Sequence, residues 1–144
     1  MLKAIASALL ATKDFKLRNQ LSTILIQNDY TVINVKSAIE SISQALEHQV
    51  DFMILDLESY NANDKVAIDI IKKERPKVPI IVLTEDNSLE TVRELTHSGV
   101  FYVAIKPIQK NKMEILIEAI NNYNRGHKQV NYLNNKNHFQ SKII

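Results

Sequence analysis

Two apolar stretches decide the fold class of this chain: Phe52-Met53-Ile54-Leu55-Asp56 and Ile80-Ile81-Val82-Leu83-Thr84. Each has four apolar residues in a row, which is typical of a strand that is buried on both faces. Such strands lie in the middle of a parallel sheet that is covered by helices on both sides. One stretch ends in a carboxylate and the other in a hydroxyl, so polar side chains are expected where these strands end.

Outward from these two stretches, strand-like runs alternate with amphipathic patterns along the chain. Strands are predicted at residues 6–11, 31–35, 52–57, 79–84 and 100–105. Apolar residues recur at helical spacing after each strand. They are Leu17, Leu21, Ile24 and Leu25; Ile39, Ile42 and Leu46; Val66, Ala67, Ile70 and Ile71; Leu89, Val92 and Leu95; and Met113, Leu116, Ile117 and Ile120. Five β-then-α units predict a doubly wound α/β fold with right-handed crossovers.

Polar residues before the helical patterns predict where the helices begin. Ser37 followed by Glu40 matches a capping box, and the other predicted N-caps are Asp14, Asn63, Ser88 and Asn111.

Composition narrows the class of protein. A chain of 144 residues with 45% hydrophobic residues is the size of one domain. The net charge of +2 does not by itself indicate nucleic-acid binding. The absence of cysteine excludes disulfides, thiolate metal sites and cysteine nucleophiles. No apolar run approaches the roughly 20 residues of a membrane span and no signal peptide is recognisable, so a cytoplasmic protein is expected.

The carboxyl ends of the strands are where an open α/β sheet places its ligands and chemistry. The candidate residues at these ends are Thr12, Lys13 and Asp14; Asp56 and Glu58; Thr84 and Glu85; and Lys106 and Pro107. The four histidines share no metal-ligand spacing, and the two glycines, Gly99 and Gly126, form no phosphate-binding loop. The sequence therefore directs attention to Asp56 and its neighbours across the sheet.

A carboxylate, a hydroxyl and an ammonium at three strand ends resemble the receiver domains of two-component response regulators. The resemblance runs from about Ala8 to about Arg125 and is carried by Asp51 through Leu57, Pro79 through Thr84, and Gly99 through Lys106-Pro107. It implies a flavodoxin-like (βα)5 fold with strand order 2-1-3-4-5. Residues 1–125 would form the receiver-like domain. Residues 126–144 would form a polar tail or the start of a linker, or alternatively a binding segment built on Tyr132, Phe139, Ile143 and Ile144.

The resemblance also implies a chemistry. In the family, an aspartate accepts a phosphoryl group, and positive charge from a divalent metal and a lysine stabilises the transferring oxygens. Asp56 would be the acceptor, Thr84 the switch hydroxyl and Lys106 the phosphate-binding ammonium, with a cis bond before Pro107 as an open possibility. The metal would be held by Asp56, the backbone carbonyl of Glu58 and an acidic pair at the end of the first strand.

This sequence departs from the family at several of those positions. Thr12 and Lys13 stand where the acidic pair belongs, and Asp14 is placed to cap the first helix. The other departures are Glu85 in place of a small residue, the extra carboxylate of Glu58, Val103 at the aromatic switch position with Phe101 and Tyr102 just before it, and Ser59 through Asn63 in place of a Pro-Gly turn. Lys13 is expected to pair with Asp56 in place of the metal, the alternative being that it points to solvent.

Three functions follow from these residues. The favoured one is a degenerate receiver that acts as a protein interaction module through the face of helix 4, strand 5 and helix 5, with a partner or a second copy, and needs no cofactor. The alternative is a phosphoacceptor that takes a phosphoryl group on Asp56 from a histidine kinase or phosphotransfer protein with Mg²⁺. Enzymatic activity would be limited to self-phosphorylation. An aspartate-nucleophile phosphohydrolase would need a second aspartate where Glu58 stands.

The first prediction concerns the metal. Mg²⁺ should bind only weakly, because the expected site keeps Asp56 and one carbonyl but lacks both carboxylates of the first strand. Calorimetry or a titration of amide chemical shifts can measure this binding. Saturable binding as strong as that of a receiver with its acidic pair, with shifts centred on Asp56, would contradict the prediction.

Overall fold

The computed structural model describes the backbone of residues 6–137 and the side chains of residues 6–126. The strands are β1 (Ala6–Ala11), β2 (Tyr30–Val35), β3 (Phe52–Leu57), β4 (Ile80–Thr84) and β5 (Tyr102–Ile105). The helices are α1 (Phe15–Gln27), α2 (Ala38–Glu47), α3 (Ala62–Glu74), α4 (Leu89–His97) and α5 (Lys110–Asn137). The predicted alternation is confirmed, and the strand bounds differ from prediction by two residues at most.

The five strands form one parallel sheet in the order β2-β1-β3-β4-β5. The doubly wound fold class and its strand order are therefore confirmed. Every residue of β3 and of β4 is buried, as their unbroken apolar sequences predict for strands covered on both faces. The parallel arrangement brings the carboxyl ends of all five strands to one edge of the sheet.

The chain divides into two compact units, Met1–Ile108 and Gln109–Ile144. The core of the first unit is built from aliphatic side chains of the strands and of α2, α3 and α4, among them Leu9, Leu55, Ile68 and Leu95. In the second unit, α5 carries Met113, Leu116, Ile117 and Ile120 as its buried residues, which is the stripe that the helical spacing predicts.

The predicted tail begins inside α5. The helix continues past Arg125 to Asn137, so the backbone of the first residues of the tail is helical. The side chain of Tyr132 and the residues Phe139, Ile143 and Ile144 lie outside what the structure describes. The boundary at residue 125 and the role of the tail stay predictions.

Helix starts agree with prediction at Asp14, Ser37 and Ser88, whose side chains accept backbone N–H groups of the first turns. The predicted N-cap at Asn63 was wrong, because Asn61 caps α3 and forms a capping box with Asp64. The predicted N-cap at Asn111 was also wrong, since α5 begins one residue earlier, at Lys110. The Glu40 carboxylate accepts from the N–H of Lys36 rather than from that of Ser37.

None of the helices within the described residues is long and apolar enough to cross a membrane.

The turn between α4 and β5 depends on Gly99, whose φ of +93° lies in the left-handed region. A Cβ at this position would stand 3.2 Å from Cε of Lys72. Lys72 cannot move away freely, because its ammonium donates to the carbonyls of Pro76 (2.9 Å) and Val78 (3.1 Å). Both backbone conformation and space therefore require glycine here.

A pair of glycine substitutions tests this requirement. Gly99→Ala should lower the free energy of unfolding by about 1–2 kcal/mol, because alanine is strained at positive φ. Gly126→Ala is the matched control: it lies inside α5 with nothing within 4 Å of the added Cβ, so helix propensity should raise stability by up to about 1 kcal/mol. Urea denaturation measures both changes, and equal effects would contradict the assignment.

Candidate functional site at the carboxyl edge of the sheet

The Asp56 carboxylate lies at the centre of the predicted site. Its side chain is only 2% exposed, and both of its oxygens have a partner. Lys106 places its Nζ 2.7 Å from Oδ1, and the Thr12 hydroxyl donates to Oδ2 at 2.6 Å. Charge-assisted hydrogen bonds of this length are the stronger class of protein hydrogen bond. The structure thus joins three strand ends, those of β1, β3 and β5, through one carboxylate.

Thr12 uses all of its ordinary hydrogen-bonding groups. Its N–H donates to the Val35 carbonyl at 3.1 Å, and its own carbonyl accepts from the Arg18 guanidinium. Its hydroxyl accepts from the N–H of Asp14 at 3.0 Å while it donates to Asp56. Because Thr12 is fully buried as well, its side chain is fixed against Asp56.

Lys13 does not take the place that sequence analysis gave it. It is exposed, and no ion pair joins it to Asp56, although the structure describes both residues. The physical reason is position: Ala8 through Thr12 are all buried, whereas Lys13 lies beyond the end of β1, where the chain turns toward α1. Lys13 instead acts at a distance on Asp64, whose pKa is raised mainly by burial and lowered by the Asn61 hydrogen bond and by Lys13. The expected Lys13–Asp56 pair was wrong.

Thr84 is fully buried at the end of β4 and belongs to the loop that leads into α4. Its hydroxyl accepts from the N–H of Asp86 at 3.1 Å, and its carbonyl accepts from the N–H of Lys106 at 2.8 Å. Asp86 in turn accepts from the Thr91 hydroxyl at 2.7 Å and from the N–H of Ser88 at 2.9 Å. These contacts lower the pKa of Asp86, and the hydrogen bond from the Thr91 hydroxyl contributes most.

Two clefts open beside this centre. One, of about 120 Å³, is lined by Asp56, Lys13 and the exposed Glu58, among others. The other, of about 410 Å³, is lined by Glu85, Lys106 and Pro107 together with residues of α1. Glu85 therefore lies in the wall of the second cleft, beside Lys106. The peptide bond between Lys106 and Pro107 is cis.

The predicted switch residues divide between core and surface. Val103 is half-buried and packs against the core cluster, whereas Phe101 and Tyr102 are about one-third exposed. Arg18 was not among the predicted site residues, yet it donates to the carbonyls of both Thr12 and Val35. No sequence signal indicates these contacts, because they depend on how α1, β1 and β2 come together in the fold.

Within the described residues, no group of three or more histidine, aspartate or glutamate side chains could hold a metal ion.

Comparison with known proteins agrees with this geometry. A model of the response regulator receiver domain family matches residues 8–118. The chain belongs to this family. It is a receiver domain of two-component signalling.

Curated relatives are longer than this receiver domain. The transcriptional regulatory protein GlrR of Escherichia coli K12 is 29% identical over 108 residues, which are 75% of this chain and 24% of that protein. The regulatory protein LuxO of Vibrio cholerae is 28% identical over 102 residues, 71% of this chain and 21% of that protein. The chain therefore spans about a quarter or less of the length of these relatives.

Solved structures show the same fold at low sequence identity. A receiver domain protein from Methanospirillum hungatei JF-1 has a TM-score of 0.75 at 18% identity, over 85% of this chain and 99% of that one. A signal receiver domain of an HD domain-containing protein from Pseudomonas fluorescens Pf-5 has a TM-score of 0.78 at 15% identity, over 90% and 96%.

The Lys106–Asp56 pair should dominate the stability of the site. Lys106→Met leaves a carboxylate with a 2% exposed side chain without its counter-charge, which should lower the free energy of unfolding by about 3 kcal/mol. The control is Lys65→Met, which breaks the exposed Lys65–Asp69 pair and should lower the free energy of unfolding far less, because water screens an exposed ion pair. Urea denaturation of the two variants gives the comparison; equal losses would mean that Asp56 does not depend on Lys106.

Proposed function

We propose that this receiver domain is an atypical member of its family that acts as a protein interaction module without a phosphoryl switch. The single observation that carries the proposal is the engagement of both Asp56 oxygens, one by Lys106 and the other by Thr12. A carboxylate that attacks phosphorus must be a good nucleophile, and positive charge must surround the transferring group. Here each Asp56 oxygen already accepts a hydrogen bond, which draws electron density from the carboxylate and makes it a weaker nucleophile, and the direct positive charge is that of one lysine.

The donor set also does not fit a divalent metal. Mg²⁺ demands several oxygen ligands in near-octahedral geometry. At the position where the family has its first carboxylate, Thr12 offers a hydroxyl whose proton points at Asp56. Lys13, at the second, is a cation. We infer that Thr12 and Lys106 take the place of the metal, because they are the two partners of the buried Asp56 carboxylate.

The partner is a protein, bound in part through the surface of α4 and β5. Four large apolar side chains of this surface or its edges are exposed: Leu89 at 64%, Ile105 at 40%, Tyr102 at 37% and Phe101 at 36%. Aromatic side chains are enriched in protein interfaces, where they bury large area at low entropic cost. The contribution of α5 to this face stays a prediction from the sequence.

The alternative is a phosphoacceptor that receives a phosphoryl group on Asp56 from a histidine kinase or phosphotransfer protein. One arrangement favours it: Asp56, Lys106 and Thr84 lie at the ends of neighbouring strands, as they do in the family pattern. For this function Asp56 would have to attack with a donor already on each oxygen, and a metal would have to bind without the acidic pair.

Treatment with a small acyl-phosphate donor and Mg²⁺ separates the two functions. The wild-type protein should gain little phosphate by intact mass, because Asp56 is already paired. The double variant Thr12→Asp/Lys13→Asp restores the carboxylates of the metal site and should be modified. Adding Glu85→Ala to the double variant tests whether this side chain, beside Lys106, hinders the donor.

Asp56→Asn in each background is the control, since it removes the acceptor and should abolish any modification. Amide spectra with beryllofluoride should show little change in the wild type. Stoichiometric phosphate on wild-type Asp56, with shifts that spread from Thr84 to Val103, would contradict the proposed function and support the phosphoacceptor.

A further inference from the structure

The helix α4 has less apolar anchoring than the other helices of the first unit. Leu95 is the one fully buried side chain among its nine residues, all of which the structure describes. By contrast, α1 and α3 bury three apolar residues each, and α2 buries two alanines together with Ser41. Elements with few buried apolar contacts open at low free energy, so polar side-chain contacts should weigh more in fixing the position of α4.

One such contact comes from the loop after Asp56. The Tyr60 hydroxyl donates to the Glu94 carboxylate of α4 at 3.2 Å. The Tyr60 ring is half-buried against the core cluster that contains Leu95, so the donor itself is held in place. Tyr60 lies in the segment Ser59 through Asn63, whose sequence replaces the turn expected from the family.

The phenol is a reliable donor. Burial, then the charge of Glu94 and its hydrogen bond, raise the pKa of Tyr60 to about 12, with smaller contributions from Asp69 and Asp64. The hydroxyl therefore keeps its proton over the whole range in which the protein would work.

A second contact comes from the loop after Thr84. The Asp86 carboxylate accepts from the N–H of Ser88, the α4 cap, and from the hydroxyl of Thr91 in the first turns of the helix. The N–H of Asp86 is held by the buried Thr84 hydroxyl. Hence α4 is held by hydrogen bonds at its first turns, from Asp86, and near its middle, from Tyr60. Both residues lie in loops at the carboxyl edge of the sheet.

We propose that Tyr60 is a positioning residue that braces α4 through Glu94, so that the surface of α4 and β5 is held in one arrangement without any change at Asp56. This inference deepens the proposed function, because an interaction module needs a preformed surface when no phosphoryl group orders it. The brace and the proposed function can nevertheless be tested separately. The brace concerns the opening equilibrium of α4 and holds whether or not Asp56 is phosphorylated.

Amide hydrogen exchange of α4 tests the brace. Tyr60→Phe removes one oxygen and keeps the ring, and it should speed exchange of the α4 amides about fivefold, the effect of losing one ordinary hydrogen bond. Glu94→Leu should do the same. The double variant should show no more than either single variant, because both remove the same contact. Glu94→Gln keeps an acceptor and should restore much of the protection.

Two controls make the result decisive. Thr23→Val removes an exposed hydrogen bond within α1, from the Thr23 hydroxyl to the Asn19 carbonyl, and should leave α4 exchange unchanged. Asp56→Asn changes the pocket, and in that background Tyr60→Phe should still speed α4 exchange by the same factor. Unchanged α4 exchange in Tyr60→Phe, or additive effects in the double variant, would overturn the brace. Phosphorylation of wild-type Asp56 would overturn the proposed function but not the brace.

Discussion

A carboxylate that is almost withheld from water needs a partner for each oxygen, and this constraint on Asp56 organises the carboxyl edge of the sheet. Lys106 supplies charge to one oxygen and Thr12 a hydroxyl to the other. Through these two contacts the ends of β1, β3 and β5 depend on one another. Both contacts also draw electron density from the carboxylate, so the interaction that satisfies the buried charge makes Asp56 a weaker nucleophile.

Neighbouring residues hold Thr12 and Lys106 in place beside Asp56. Arg18 fixes the carbonyls of Thr12 and Val35, which orients the Thr12 hydroxyl, while the backbone of Thr84 accepts from Lys106. From the loops after β3 and β4, Tyr60 and Asp86 reach α4. The site and the α4 surface are therefore connected by fixed hydrogen bonds. Under the proposed function, these bonds provide the order that a phosphoryl group would otherwise impose on the α4 surface.

Family membership establishes the type of domain, whereas its activity depends on the residues around Asp56. Relatives such as GlrR and LuxO match this chain over a quarter or less of their own length, so they bear on the domain and not on a whole regulator. Under the proposed function, a threonine and an exposed lysine in place of two carboxylates change what the pocket of that domain can hold. One fold thus supports different functions through a few side chains at the ends of its strands.

The sequence by itself determined the fold class, because the apolar runs of β3 and β4 and the alternation of strands and helices leave few arrangements of the chain. It also predicted that Asp56, Thr84 and Lys106 lie at one edge of the sheet, since parallel strands bring their carboxyl ends together. Only the tertiary structure decided that Thr12 and not Lys13 meets Asp56, that Asn61 caps α3, and that Tyr60 reaches Glu94. These contacts depend on the direction of single side chains and on residues distant in sequence, and neither periodicity nor composition specifies them.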